Sequence, residues 1–400
     1  MSAIGGAPVL VLAVDTARGD RIYLAPRLLP GGKFLLYGVR GTNTDGPFLR
    51  LEVRPVSGGP ARVLIDGAPA ATVDNRTLIY QKGSELRVAD LNLSTLALSN
   101  DRRLLDGVAP MVNTTAAGWA LSGDLLVYRA AAGATRSLAW VNRDGRAQPL
   151  AAPARSYMGL GLSPDGNRVL LGVQDEPRRD VLLYDLTQDV LTPISTDGQS
   201  EGGIWAPDGR HIATYRRGVG DHAVVRLTTD GTGPPDVLTR SDRFLWPASQ
   251  TKDGRHLVVM DNGSISMVDL LGDRSRRPLV SGPGFKLGGR LSPDERWLAY
   301  FSKVTGKDEL YVTAFPQAGP SWRLSRGGAR EAVWSRDGRE LFFRSEDGRR
   351  MLSIAVEPGP TFRWSTPRLL FEGDYFADGG AGQVNYDVSL DGTKFLMLTP

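Results

Sequence analysis

The chain has 400 residues, 41% of them hydrophobic, a formal net charge of +4 and no cysteine. The missing cysteine excludes disulfides, thiolate metal sites and a cysteine nucleophile, and arginines dispersed among acids give no nucleic-acid footprint. The apolar run at residues 7–14 is too short to cross a bilayer and has no basic residue before it, so neither a membrane span nor an export signal is expected, and the compartment stays open.

Residues 1–20 read as a glycine-rich lead, one short strand at 9–14 and a polar turn, as though a blade of sheet began elsewhere and ended here. Arg18, Gly19 and Asp20 spell an adhesion tripeptide, a match too short to carry function. Three irregular hairpins follow. RLLPGGKFLLYG turns at Gly31 and Gly32, TVDNRTLIYQ at Asp74 and Asn75, and WALSGDLLVYR at Gly123 and Asp124. Each is followed by two further β-type runs: FLRLEVRPV and ARVLIDG, ELRVADL and RRLLDG, SLAWVNRDG and AQPLA.

From residue 162 the pattern becomes regular. LSPDGNRVLLGV returns as WAPDGRHIATY from Trp205, TKDGRHLVVM from Thr251, LSPDERWLAYF from Leu291, WSRDGRELFF from Trp334 and VSLDGTKFLML from Val388. The turn aspartates Asp165, Asp208, Asp253, Asp294 and Asp337 lie about 41 to 45 positions apart, and Asp391 follows after a longer gap. An aspartate accepts hydrogen bonds from backbone N–H groups further round its turn, and a following glycine takes positive φ at no steric cost. Asp165–Gly166, Asp208–Gly209, Asp253–Gly254, Asp337–Gly338 and Asp391–Gly392, with Asp294 before a glutamate, are therefore structural turn residues. Two more strand-like runs follow each hairpin, VLLYDL and LTPIS after the first, ELYVTAF and WRLS after the fourth. Four strands at this period make an all-β propeller of four-stranded antiparallel blades.

The hairpin at 386–399 has no partner strands after it. Propellers close by letting one terminus complete a blade begun by the other, which removes exposed sheet edges. Pairing with residues 9–14 gives a single ring of about eight blades over 1–400, with degenerate blades in 1–160, regular blades in 161–372 and a closing loop and hairpin in 373–400. Pairing with residues 137–150 gives a six-bladed ring from the regular repeats, with the preceding residues as part of another propeller. The single ring is favoured, because the unit length hardly changes at residue 162 and no linker interrupts it.

No nucleophile elbow, zinc-protease helix, phosphate loop or calcium loop occurs. His211 and His256 take the same place after neighbouring turns, so the repeat explains them; with His222 they give no metal site. Gly282, Gly284 and Gly288 lack a nucleotide-fold strand and helix and are turn glycines. The turn aspartates sit on different blades, too dispersed to pair as catalytic carboxylates. Trp205, Trp297 and Trp334 are expected to pack blade against blade. The closing loop EGDYFADGGAGQVNY carries Tyr375, Phe376 and Tyr386, the candidate binding residues of a long loop on a rigid scaffold.

The SPDG-plus-aliphatic hairpin resembles the repeats of TolB-like, WD-repeat-like bacterial propellers over most of the chain. More narrowly, DTARGD, PRLLPGGKFLLYG, WSRDGRELFFRSEDGRRMLSIAV, FRWSTPRLLFEG and NYDVSLDGTKFLMLTP resemble the C-terminal propeller region of bacterial serine/threonine protein kinases, which is extracytoplasmic. The kinase motifs themselves are absent; the nearest string, Phe376, Ala377, Asp378, Gly379, lies in a glycine-rich loop. The resemblance implies a non-catalytic, monomeric sensing or scaffolding propeller with a protein or peptide partner and no cofactor. The alternatives are a propeller accessory to a prolyl-peptidase-like hydrolase and a channel-mouth hydrolase or lactonase.

Overall fold

The computed structural model describes residues 10–43, 46–68, 70–74, 76–109, 119–122, 125–128, 135–175, 178–217, 222–377 and 383–400. Among them the only helix is a single 3-10 turn, Thr16–Arg18, and every other regular element is a strand in an antiparallel sheet. The chain divides into two compact units, residues 1–134 with 176–178, and residues 135–175 with 179–400.

The second unit is a ring of six sheets. Its inner strands are Tyr157–Leu162 (blade I), Ser200–Trp205 (II), Leu245–Gln250 (III), Lys286–Leu291 (IV), Ala329–Trp334 (V) and Tyr386–Val388 (VI). Each is followed outward by its hairpin partner and further strands. Adjacent blades pack through their aliphatic and aromatic faces. Leu170 and Val181 of blade I meet Ile212 of blade II, Ile204 and Val224 of II meet Leu257 and Val268 of III, and Val258 of III meets Leu298 and Tyr300 of IV. Trp297 and Val312 of IV meet Trp334 and Ile354 of V. Phe342 of V meets Phe395 of VI, and Leu396 and Leu398 of VI meet Leu160 and Leu171 of I, so the contacts return to their start.

Of the two closures open to the sequence, the structure forms the second. Lys394–Thr399 pairs with Ser137–Asn142 in continuous register, from Ser137 opposite Thr399 to Asn142 opposite Lys394. Blade VI is thus two C-terminal strands joined to Ser137–Asn142 and Ala147–Pro149. This corrects the expected pairing with residues 9–14, and with it the single ring of about eight blades. The reason lies in burial. Phe395 and Met397 point to one face of their strand, Leu396 and Leu398 to the other, and all four are fully buried. Such a strand needs partners on both edges and both faces: Tyr386–Val388 takes one edge, and SLAWVN, with buried Leu138 and Val141, takes the other. Residues 10–14 form no strand, and Leu10 and Val11 are exposed; Val9 lies outside the described residues.

The first unit contains two four-stranded sheets and a hairpin, Trp119–Ser122 with Leu125–Tyr128. Leu36, Leu51 and Val53 of one sheet pack on Leu78 and Tyr80 of the other, and Trp119 packs on Leu86 and Val88. The turn positions Asn75, Gly123 and Asp124 lie outside the described residues. Asp20 of the adhesion-like tripeptide is fully buried and paired with Arg50 at 2.5 Å, while Arg18 pairs with buried Glu52 at 2.5 Å. That tripeptide is a piece of core electrostatics.

Candidate functional site

The turns around one face of the ring share a local design. Asp165 Oδ1 accepts from the Asn167 N–H at 3.2 Å and from Ser163 Oγ at 2.5 Å, and Ser163 Oγ in turn accepts from the Arg168 N–H at 2.9 Å. The same relay runs through Thr251 and Asp253, Ser292 and Asp294, Ser335 and Asp337, and Ser389 and Asp391. The hydroxyl two residues before each aspartate closes the turn as much as the carboxylate does, and its recurrence in SPDG, TKDG, SPDE, SRDG and SLDG was the signal for it. Blade II has Ala206 there, and Asp208 instead holds the Arg210 N–H at 2.8 Å and His211 Nδ1 at 2.6 Å. Hydroxyl and backbone donors hold the Asp391 carboxyl down at about 2. In blade IV the glycine is replaced by Glu295, which takes φ of +57° and whose carboxylate accepts from the Lys252 N–H of blade III.

Behind these turns the six inner strands enclose a cavity of about 330 Å³. Its wall is stitched from blade to blade. Trp205 Nε1 donates to the Gly161 carbonyl at 2.9 Å, Trp334 Nε1 to the Arg290 carbonyl at 3.1 Å, and Ser249 Oγ to the Gly289 carbonyl at 2.6 Å. Asp387 Oδ2 accepts from the Leu162 N–H at 2.8 Å. The two tryptophans therefore join inner strands by hydrogen bonds as well as packing, a role that periodicity alone does not show. Lys252, Arg290, Arg336, Glu295 and Asp387 supply the charge lining the cavity.

Deeper in the ring, the segment leading into blade VI spans from blade I to blade V. The Val384 carbonyl accepts from the Leu160 N–H at 2.9 Å, and Asn385 Oδ1 from the Gly159 N–H at 2.9 Å. Asn385 Nδ2 donates to Glu331 Oε1 at 2.5 Å, Arg344 Nη1 to Glu331 Oε2 at 3.1 Å, and Tyr386 OH to the Glu331 carbonyl at 2.7 Å. Glu331 occupies a bulge where blades I, II and IV place glycines of positive φ, and it too has φ of +54°. A glutamate in the left-handed region pays a steric cost that Gly159, Gly202 and Gly288 avoid. Burial pushes its carboxyl up, against the opposing pull of Arg344 and Asn385.

The closing-loop candidates separate. Tyr386 is fully buried and lines the cavity. Tyr375 packs edge-on against Phe371 at 5.9 Å, and Phe376 lies under the Arg136 guanidinium at 3.4 Å. Their carbonyls accept from Arg344 at 2.8 and 2.7 Å. Tyr375 packs on the cluster between blades V and VI that also holds Tyr386, and Phe376 on the cluster between blades VI and I. His222 Nδ1 meets Tyr215 OH at 2.6 Å. Among the described residues no group of three or more His, Asp or Glu is placed to hold a metal ion, and no helix is long and apolar enough to cross a membrane.

No protein-family model matches the chain, and no curated protein matches it. Among solved structures it is similar to a TolB from Agrobacterium tumefaciens, at 20% identity and a TM-score of 0.53, covering 67% of this chain and 99% of that one. A TolB from Acinetobacter baumannii is similar at 13% identity and a TM-score of 0.45, covering 86% of this chain and 84% of that one. The tricorn protease gives 13% identity and a TM-score of 0.40, covering 87% of this chain and 44% of that one. At such identities the likeness is one of fold: a TolB-like β-propeller.

Proposed function

We propose that this TolB-like propeller is a non-catalytic receptor whose ring takes a protein or peptide segment into the mouth of its channel on the side of the Asp-Gly turns. The observation that carries this reading is the cavity of about 330 Å³, to which every inner strand of the ring contributes. It is concave and rigid, with tryptophan and aliphatic walls and a charged rim, the composition of a site preformed for an extended chain. Its two carboxylates are already engaged, Glu295 by the Lys252 N–H and Asp387 by the Leu162 N–H. That favours binding over a channel-mouth hydrolase, which needs carboxylates free to act on a substrate. The resemblance of the chain's ends to kinase-linked propellers supports a sensing role, in which occupancy of the ring is passed to a signalling partner.

The test is selection of a displayed random-peptide library on the immobilised full chain, followed by affinity measurement of the enriched peptides. Gln250→Trp places an indole in the channel wall. Enriched peptides should bind the parent and lose at least about tenfold in affinity for the blocked variant, about 1.4 kcal/mol. A library that yields no binder, or binders indifferent to Gln250→Trp, overturns the proposal.

A further inference from the structure

The charges of the channel are unevenly satisfied. Glu295 and Asp387 accept backbone N–H groups, and Asp387 has only a loose contact with Arg336, at 3.8 Å. The cations are much less engaged. Arg290 Nη1 donates to the Ala248 carbonyl at 2.9 Å, and among the described residues neither its guanidinium nor the Lys252 ammonium forms an ion pair at contact distance, although the Asp387 charge acts on Arg290 from further off. Burial pushes the Arg290 guanidinium down from its ordinary value, against the opposing pull of Asp387, and a bound anion would offset that cost further.

Arg290 also lines a smaller cavity of about 60 Å³, mostly between blades IV and V, where Asp308, Glu331 and Glu346 would repel an anion. Gln383 lines that cavity too; it is 6% exposed, and among the described residues its buried Oε1 has no hydrogen-bond partner. Oε1 lies against Gly159 and Nε2 against Gly202, so the amide sits inside the ring between blades. That oxygen is an acceptor, to be completed by a donor such as water, and it offers nothing to a carboxylate. A carboxylate presented from the turn side would meet Lys252 and Arg336 at the rim and Arg290 within.

Resting on the peptide-receptor reading, we infer that the ring selects peptide segments bearing carboxylates, received by Arg290 with Lys252 and Arg336 guiding them in. A guanidinium fork binds a carboxylate through two parallel N–H donors, and rim cations raise the rate at which an acidic chain is captured.

Fluorescence anisotropy with two labelled ten-residue peptide pools tests this, one with Asp or Glu at alternate positions and a matched one with Asn or Gln there. The full chain should prefer the acidic pool by about tenfold or more at low salt, with the preference shrinking as ionic strength rises. Arg290→Gln and Lys252→Gln should each bring it below about threefold. Lys252 is exposed, so its variant keeps the test readable if Arg290→Gln melts early. Equal binding of both pools, or a preference that survives both substitutions, overturns the inference and leaves the receptor reading standing. Failure of both pools to bind, despite library-selected binders, also overturns it. Displacement of the acidic pool by succinate at matched carboxylate concentration assigns the site to small carboxylates and overturns the peptide assignment.

Discussion

Asn385 Nδ2 stands 2.5 Å from Glu331 Oε1, joining the segment that enters the closing blade to the inner strand of the blade before it. Glu331 is held from its other side by Arg344 at 3.1 Å, with side chains 2% and 1% exposed. Two elements far apart in sequence are thereby fixed through one buried carboxylate, and Glu331 adopts a conformation that blades I, II and IV leave to glycine.

Removing one partner of that carboxylate should be costly in proportion to the charge left behind. Arg344→Ala leaves a buried carboxylate without its cation and should destabilise the ring by about 3–5 kcal/mol. Asn385→Ala removes a neutral donor and should cost about 1–3 kcal/mol. Denaturant melts of both variants check the order, and Asn385→Ala being the worse of the two would contradict it.

Packing at the same seam is carried by Phe395, fully buried, with ring centroids 5.1 Å from Phe342 and 5.4 Å from Phe371. Phe395→Ala should cost about 3–5 kcal/mol, and because its strand closes the ring, amide exchange should quicken at Ser137–Asn142. Trp334→Ala, between blades IV and V, should cost a similar amount while leaving exchange there less affected.

Acid should loosen the turns. The carboxyl of Asp391 falls from an ordinary 3.8 to about 2, and hydroxyl and backbone donors also lower those of Asp165, Asp253 and Asp337. A carboxyl lowered by folding contributes stability that is present above its unfolded value and lost as pH falls through its folded one. For Asp391 that window runs from 3.8 down to about 2. Asp391→Asn, which cannot titrate, should therefore show a shallower loss of stability across the window in urea melts at stepped pH.

In the first unit, Arg50 reaches both Asp20 at 2.5 Å and Glu52 at 2.6 Å. Arg50→Ala should leave those buried carboxylates with too little positive charge and destabilise the unit by about 3–5 kcal/mol. Asp20→Asn, which removes one of the charges, should be milder when both are measured by thermal melting. If the adhesion-like tripeptide were instead a surface motif, neither change would affect the melt.

The sequence by itself determined the blade. A hydroxyl, an aspartate and usually a glycine set a turn through bonds a few residues long, and alternating aliphatics set the strands, so LSPDGNRVLLGV and its returns announce hairpins wherever they stand. It also excluded thiol chemistry outright. Which strand closes the ring was not local information: Lys394–Thr399 matches the apolar pattern of many runs, and only complementary burial on both of its faces selects Ser137–Asn142. The cavity was hidden for the same reason. Arg290, Lys252, Asp387 and Trp334 come from different repeats, and nothing in their spacing shows that ring closure gathers them around one axis. Tyr375 and Phe376 look free in the sequence because the arginines that hold them, Arg344 and Arg136, are remote along the chain. Turn chemistry acts within a few bonds, whereas side-chain convergence depends on the distances that closing the ring imposes.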